Sequence, residues 1–390
     1  MKVFKLISLA LLIVVLASMT VACGEKEFDK QLANQLQAVL DDAVASPETI
    51  FPGAFMRVSG PELGIWTGAA GLGNIETSTA MRPDDKLRAG SIMKPFVSVV
   101  ALQLVEEGRL LLEDTMTTVL PVSVTDRFAN SNEITIRMLL NHTSGIPEWL
   151  GEAQIGEIGA NPSKIWTVDE FLDLAAAQEP YFAPGQGWTY SNTDYNLLTL
   201  IIEQATGRSW REEVRERIIE KLNLENTLLP EPGDTSIPGN HARGYFPMGG
   251  QLIDMTEVDP SMAGGGGGHA LVTTAEDLSL FLDALLAGEL FQDDRTLDEM
   301  MAFVDAPNPW GEIPLPGIDW ENYKYGLGLE KLMLAGGGEL IGHAGSTAGY
   351  TSAVYYLPSK DITVEATINT MDLAGFLYQV LIPALNVLAP

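Results

Sequence analysis

Ala89-Gly90-Ser91-Ile92-Met93-Lys94-Pro95-Phe96 is the stretch on which the reading of this chain turns. It opens an apolar run at helical spacing: Phe96, Val97, Val99, Val100, Leu102, Leu104 and Val105. A helix starting here puts Ser91 in its first turn and Lys94 one turn on along the same face. The hydroxyl then has an amine within reach, and the unpaired N–H groups of a helix start favour a developing oxyanion. Pro95 suits the first turn, where its missing N–H costs the helix nothing. A serine hydroxyl is a weak nucleophile and needs an adjacent base. Lys94 can serve only if burial and neighbouring charge bring its pKa down toward neutrality. By itself Ser-x-x-Lys is also a capping serine followed by a solvated lysine, so its weight rests on partners elsewhere.

Working outward, residues 25–45 carry helical spacing (Phe28, Leu32, Leu36, Leu40, Val44) closed by Ser46-Pro47. Residues 53–58 and 64–68 read as short strands around Ser59-Gly60-Pro61. From residue 91 to about 226 the pattern is helical. Residues 134–145 run into a glycine stop, 148–164 read as a loop, and 168–177, 194–205 and 211–222 read as helices. Thr274 is expected to cap a helix reaching 286, with Asp277 at the capping-box position. Residues 325–330, 339–343, 351–357 and 362–369 read as strands, and 373–387 as a closing apolar helix. Strands and a helix at both ends around a helical middle indicate an α/β (α+β) layer interrupted by a helical insertion. Residues 24–90 and 265–390 are expected to form the α/β domain and 91–264 the mainly helical insertion, with the active site between them.

At 390 residues, 46% of them hydrophobic, with 7 Trp, 13 Phe and 10 Tyr, the chain is long and apolar enough to bury a large core. Its start reads as a targeting segment. A basic Met1-Lys2-Val3-Phe4-Lys5 precedes an apolar run over residues 6–17, and the only cysteine, Cys23, follows Val21-Ala22. This resembles a bacterial lipoprotein signal, cleaved before Cys23 with the thiol lipidated; the rival reading is an uncleaved anchor helix, for which the run is short. Thr20 departs from the aliphatic residue usual three positions before the cysteine. The expectation is an exported protein of the cell envelope, lipid-anchored to a membrane through Cys23 on the periplasmic or extracellular face. One cysteine leaves no disulfide framework. With 23 basic and 52 acidic residues the formal charge is −29, a surface that repels nucleic-acid phosphates and anionic lipid.

Two further clusters give Ser91 its partners. Tyr190-Ser191-Asn192 follows Ala183-Pro184-Gly185, and His343-Ala344-Gly345-Ser346 lies between apolar strand-like runs. Alone, the first is a turn with an N-cap and the second a hydrogen-bonded sheet histidine. In this order, together with Leu139-Leu140-Asn141-His142-Thr143-Ser144-Gly145 and Gly345-Ser346-Thr347-Ala348-Gly349-Tyr350, they resemble the serine β-lactamase and D-Ala-D-Ala carboxypeptidase superfamily. The nearest branch holds class C β-lactamases, the Streptomyces-type DD-peptidase and related esterases, and the resemblance runs from about residue 53 to the end.

The resemblance implies an antiparallel sheet flanked by N- and C-terminal helices with an inserted helical domain. It also implies a serine hydrolase acting on amide, ester or β-lactam carbonyls through an acyl-enzyme at Ser91, with no cofactor and no metal. Lys94 would be the base and Tyr190 the proton relay to the leaving group. Asn192 would hold the substrate amide and help hold Lys94, and the backbone N–H groups of Ser91 and Ser346 would form the oxyanion hole. Gly345 would leave room for the substrate backbone. His343 stands where many relatives carry lysine, and would hold a substrate carboxylate only while protonated. The partner is a small-molecule or peptide substrate with an acyl group, oligomeric state left open. The other reading on the same fold is a non-turnover penicillin-binding sensor or scaffold. His142 is read as a structural helix-end residue, and His269, beside the glycine run, as either a loop residue or a site-lining one. That run lacks a Gly-Lys-Ser/Thr ending and is no phosphate loop. No Gly-x-Ser-x-Gly elbow and no His-Glu-x-x-His pair occurs.

Overall fold

Alternating side chains on the first long strand set the two layers. Along Gly53–Gly60, Ala54, Met56 and Val58 face one apolar cluster and Phe55 faces another. The computed structural model describes residues 26–262, 264, 268–309 and 317–389; the leader, Cys23 and most of the glycine run lie outside them. In chain order the strands are β1 (Gly53–Gly60), β2 (Gly64–Asn74), β3 (Thr79–Ala80), β4 (Leu87–Arg88), β5 (Tyr245–Met248), β6 (Gln251–Asp254) and β7 (Val272–Thr273). They continue as β8 (Val304–Asp305), β9 (Lys324–Tyr325), β10 (Glu330–Met333), β11 (Glu339–Thr347), β12 (Tyr350–Leu357) and β13 (Ile362–Ile368). Nine of these form one antiparallel sheet in the order β3-β2-β1-β13-β12-β11-β10-β9-β8. The two ends of the chain meet at its centre, where Ala54 pairs with Ile368 and Val58 with Val364.

One face of the sheet is covered by the Lys30–Ala45 helix and the closing helical segment, through Leu36, Leu40, Phe376 and Leu385. The other is covered by the Ala275–Leu286 helix and, beyond it, the helical middle of the chain. The Met93–Glu106 helix is buried on all sides, every residue from Met93 to Leu104 being enclosed. It therefore acts as the core against which the Asn192–Thr206 and Trp210–Val214 helices pack, with the Ile136–Leu140 helix lying on Asn192–Thr206. Phe96 stacks on Phe281 with centroids 3.6 Å apart, joining this helix to Ala275–Leu286. Among the described residues no helix is long and apolar enough to cross a membrane.

Several boundaries differ from the sequence reading. The N-terminal helix begins at Lys30, capped by Asp29, which accepts from Leu32 N at 2.8 Å. Residues 148–164 are not simply a loop. They contain the Glu152–Ala160 helix, whose Gly156 and Gly159 weaken its helical signal. The expected strand over 325–330 breaks between Tyr325 and Glu330, where Gly328 has φ +88° and sits against Ser98. Thr274 does cap its helix, but Asp277 completes no capping box; its carboxylate accepts from Asn226 N at 2.9 Å and Thr227 Oγ1 at 2.7 Å. A tertiary contact has taken the side chain that the local motif would use.

Phe281→Ala should destabilise the fold by about 3–5 kcal/mol, because it removes the ring that braces the Met93–Glu106 helix. The shift in urea midpoint at constant slope measures this.

Candidate active site

The Ser91 turn is held by the sheet rather than by its own helix. Gly90, at φ +59°, opens a short 3-10 turn over Gly90–Ile92 that runs directly into the Met93–Glu106 helix. Strand β11 passes so close that a Cβ on Gly345 would lie 1.9 Å from Ala89 O and 3.0 Å from Ser91 N. A Cβ on Gly90 would lie 2.8 Å from Ser346 N. Ser352 on β12 adds a hydrogen bond to Ala89 O at 3.3 Å. Gly345 thus makes room for the backbone that carries Ser91.

Lys94 is fully buried, and its Nζ donates to Ser91 Oγ at 3.2 Å and to Asn192 Oδ1 at 2.7 Å. Burial lowers its pKa to about 7, with Glu148, Glu330 and Asp194 pulling the other way. The Tyr190 ring centroid is 4.7 Å from the ammonium. The Tyr190 hydroxyl is enclosed and makes no well-aligned hydrogen bond among the described residues. Burial holds its pKa well above the usual phenol value, with Ser91 pulling against it. A neutral amine near pH 7 beside a protonated phenol supplies both a proton acceptor and a donor around one hydroxyl.

The structure brings Ser91, Lys94, Tyr190, Asn192, Gly345 and Ser346 together. It treats His343 differently. That ring is 1% exposed, bonded through Nε2 to Tyr325 OH at 2.9 Å and through Nδ1 to Ala344 O at 2.5 Å. Burial lowers its pKa, and it is not on the pocket wall, so it offers no charge to a substrate carboxylate. His142 is more than a helix end. Its Nδ1 lies 3.0 Å from Asp194 Oδ2, and its ring packs 4.5 Å from that of Tyr190. Ser144 Oγ donates to the other Asp194 oxygen at 2.6 Å. His269 is enclosed too, with Nδ1 2.7 Å from Thr347 Oγ1 behind β11.

Three acidic residues around Lys94 escaped the sequence reading: Glu148, Asp194 and Glu330. Glu148 accepts from Asn192 N at 2.5 Å and from Leu150 N at 2.8 Å. Glu330 is 2% exposed and accepts from Tyr355 OH and from Ala344 N at 3.1 Å. The available signal was an acidic residue set among apolar neighbours, as in Ile146-Pro147-Glu148-Trp149-Leu150. Beside Ser91 opens a pocket whose walls include Leu150, Ile155, Ile158, Phe246, Met255 and Met262. Its polar lining is Ser91, Asn192, Ser346 and Thr347, and among the described residues no charged side chain lines it. No group of three or more His, Cys, Asp or Glu among the described residues is placed to hold a metal ion.

Gly345→Ala should push the Ala89 carbonyl and misplace Ser91. About a hundredfold loss in the rate of Ser91 labelling by a fluorophosphonate is expected, read by gel fluorescence against time.

Comparison with known proteins agrees with this geometry. The family described as Beta-lactamase matches residues 32–378. A crystal structure of a D-stereospecific amidohydrolase from Streptomyces sp. is 32% identical, covers 89% of this chain and 97% of its own, and superposes with a TM-score of 0.77. The D-amino acid amidase from Ochrobactrum anthropi SV3, complexed with L-phenylalanine amide, is 26% identical over 92% of this chain and 98% of its own, with a TM-score of 0.75. Esterase EstB of Burkholderia gladioli is 31% identical over 217 residues, which is 53% of this chain and 54% of the esterase. The chain spans about half the length of the first curated relatives it matches. By the extent of the family match and by the amidohydrolase likeness, this chain belongs to the beta-lactamase family.

Proposed function

We propose that the chain is a serine hydrolase that acylates itself at Ser91 on esters or amides whose recognised portion is apolar and uncharged. The observation that carries this is the buried Lys94 Nζ, 3.2 Å from Ser91 Oγ, with its pKa lowered to about 7. The neutral amine takes the Ser91 proton as Oγ attacks the carbonyl carbon. The backbone N–H groups of Ser91 and Ser346 receive the oxyanion. Tyr190, kept protonated by burial, gives its proton to the leaving alcohol or amine and recovers one from the Lys94 ammonium. Water then attacks the acyl ester with the same groups in reverse roles. The esterase, amidohydrolase and amidase among the similar proteins support ester and amide carbonyls as the point of attack.

The pocket supports the choice of substrate. Enclosing an ionised carboxylate against Ile155, Ile158, Phe246 and Met255, with no cation on the lining among the described residues, costs several kcal/mol. Hydrophobic acyl esters and amides are therefore favoured over carboxylate-bearing peptides and β-lactams. A turnover enzyme is also favoured over a sensor that acylates once, because Tyr190 and Lys94 both flank the bond that deacylation must break. Export and lipidation at Cys23 form a separate part of the proposal, supported by the leader sequence alone; a mature protein whose intact mass retains Met1 would overturn it.

Ser91→Ala should abolish turnover and fluorophosphonate labelling together, and persistence of both would sink the assignment. Tyr190→Phe should lose roughly 10²–10⁴ in kcat. Since Lys94 must be neutral to act, kcat/KM for a p-nitrophenyl ester should rise with pH through an acid limb near 7. A profile flat from pH 5 to about 9 would remove Lys94 as the base.

A further inference from the structure

We infer that Glu148 is a positioning residue of this reaction: its carboxylate clamps Asn192 against Lys94 and stands as the counter-charge to the Lys94 ammonium. The inference rests on the acyl-transfer reading of Ser91. A continuous chain of hydrogen bonds supports it. Glu148 Oε2 accepts from Asn192 N at 2.5 Å, Asn192 Oδ1 accepts from Lys94 Nζ at 2.7 Å, and Lys94 Nζ donates to Ser91 Oγ at 3.2 Å. The other Glu148 oxygen takes Leu150 N at 2.8 Å, and Leu150 is part of the pocket wall. One carboxylate therefore ties the base's partner to the substrate wall.

The surroundings single out Glu148 among the acids near Lys94. Facing the ammonium are the carboxylates of Glu148, of Asp194 on the Asn192–Thr206 helix and of Glu330 on β10. The rings of Tyr190 and Tyr195 lie against it at 4.7 and 5.3 Å, and His142 and His343 stand within electrostatic reach. Asp194 is engaged by His142 and Ser144, and burial pushes its pKa up against the Ser144 hydrogen bond. Glu330 is spent on Tyr355 and Ala344 N on the His343 side. Glu148 accepts two backbone N–H bonds, which favour a charged carboxylate, and one comes from the first residue of a 15-residue helix, where negative charge is stabilised. Burial raises its pKa, and the two backbone N–H bonds and the Lys94 charge pull it back down. Around Glu148 itself the remaining contacts are uncharged: Tyr181 OH accepts from its amide at 3.2 Å, and Gln178 Nε2 donates to its carbonyl at 2.8 Å.

The sign of the electrostatic effect follows. A negative charge beside Lys94 stabilises the ammonium and raises its pKa. Removing it lets the amine stay neutral to lower pH. The full chain and its Glu148→Gln and Glu148→Asp variants are compared by pH–rate profiles on a p-nitrophenyl ester, with thermal melting as a check on folding. Glu148→Gln should move the acid limb of kcat/KM down by about one pH unit and lower kcat through the weakened clamp. Glu148→Asp, which keeps the charge, should keep the limb near its wild-type position. An acid limb unmoved in a folded Glu148→Gln protein overturns the inference. So does a plateau reduced more than about a hundredfold with no shift, which would make Glu148 a proton-transfer group in its own right. Wild-type protein that is not labelled at Ser91 by a fluorophosphonate fails the acyl-transfer reading instead, and the inference falls with it.

Discussion

A glycine pressed against a carbonyl holds this molecule's two halves in register. Strand β11 runs past the Ser91 turn so tightly that Gly345 has no room for a side chain beside Ala89 O. The sheet and the buried Met93–Glu106 helix are therefore fixed to one another at the point where Ser91 emerges. Interiors packed to this density cannot shift one layer without moving the other. The positive φ of Gly90 belongs to the same constraint, because the chain must leave the β4 segment and turn at once into the helix. Ser346 lines the same pocket as Ser91, and its backbone lies against Gly90.

With Ser91 so placed, the chemistry depends on keeping an ammonium out of water. Lys94 has no exposed surface, and its desolvation brings the amine to a pKa of about 7. Three acidic residues about it, Glu148 first, oppose that shift, and each is itself hydrogen-bonded. The enclosed Tyr190 hydroxyl belongs to a ring packed on His142 and Tyr325, and burial holds its pKa well above the usual phenol value. One desolvated cluster thus gives the amine and the phenol opposite proton preferences.

The residues that the candidate site brings together were legible because their signals are local. Ser91 and Lys94 share a helix turn, Tyr190 and Asn192 flank a helix start, and Gly345 and Ser346 lie on one strand. The resemblance supplied their common destination. His343 was misjudged because sequence carries no record of depth. A histidine on an exposed strand and one enclosed by Tyr325 and Glu330 read alike. Glu148 was overlooked for a related reason, since its partners Asn192 and Lys94 lie 44 and 54 positions away in the chain. Asp277 shows the converse, a local motif overridden because Asn226 and Thr227 offered better donors.

By itself the sequence determined the mixed α/β architecture, the buried helix behind Ser91 and the set of groups available for acyl transfer. Spacing along the chain controls helical faces, strand alternation and caps. Tertiary structure alone decided the state and direction of those groups. It enclosed Lys94 away from water, buried His343 against Tyr325, lined the pocket with apolar walls and aligned Glu148 with Asn192. Desolvation and long-range hydrogen bonding are properties of enclosed volume, and volume is set by how distant segments pack.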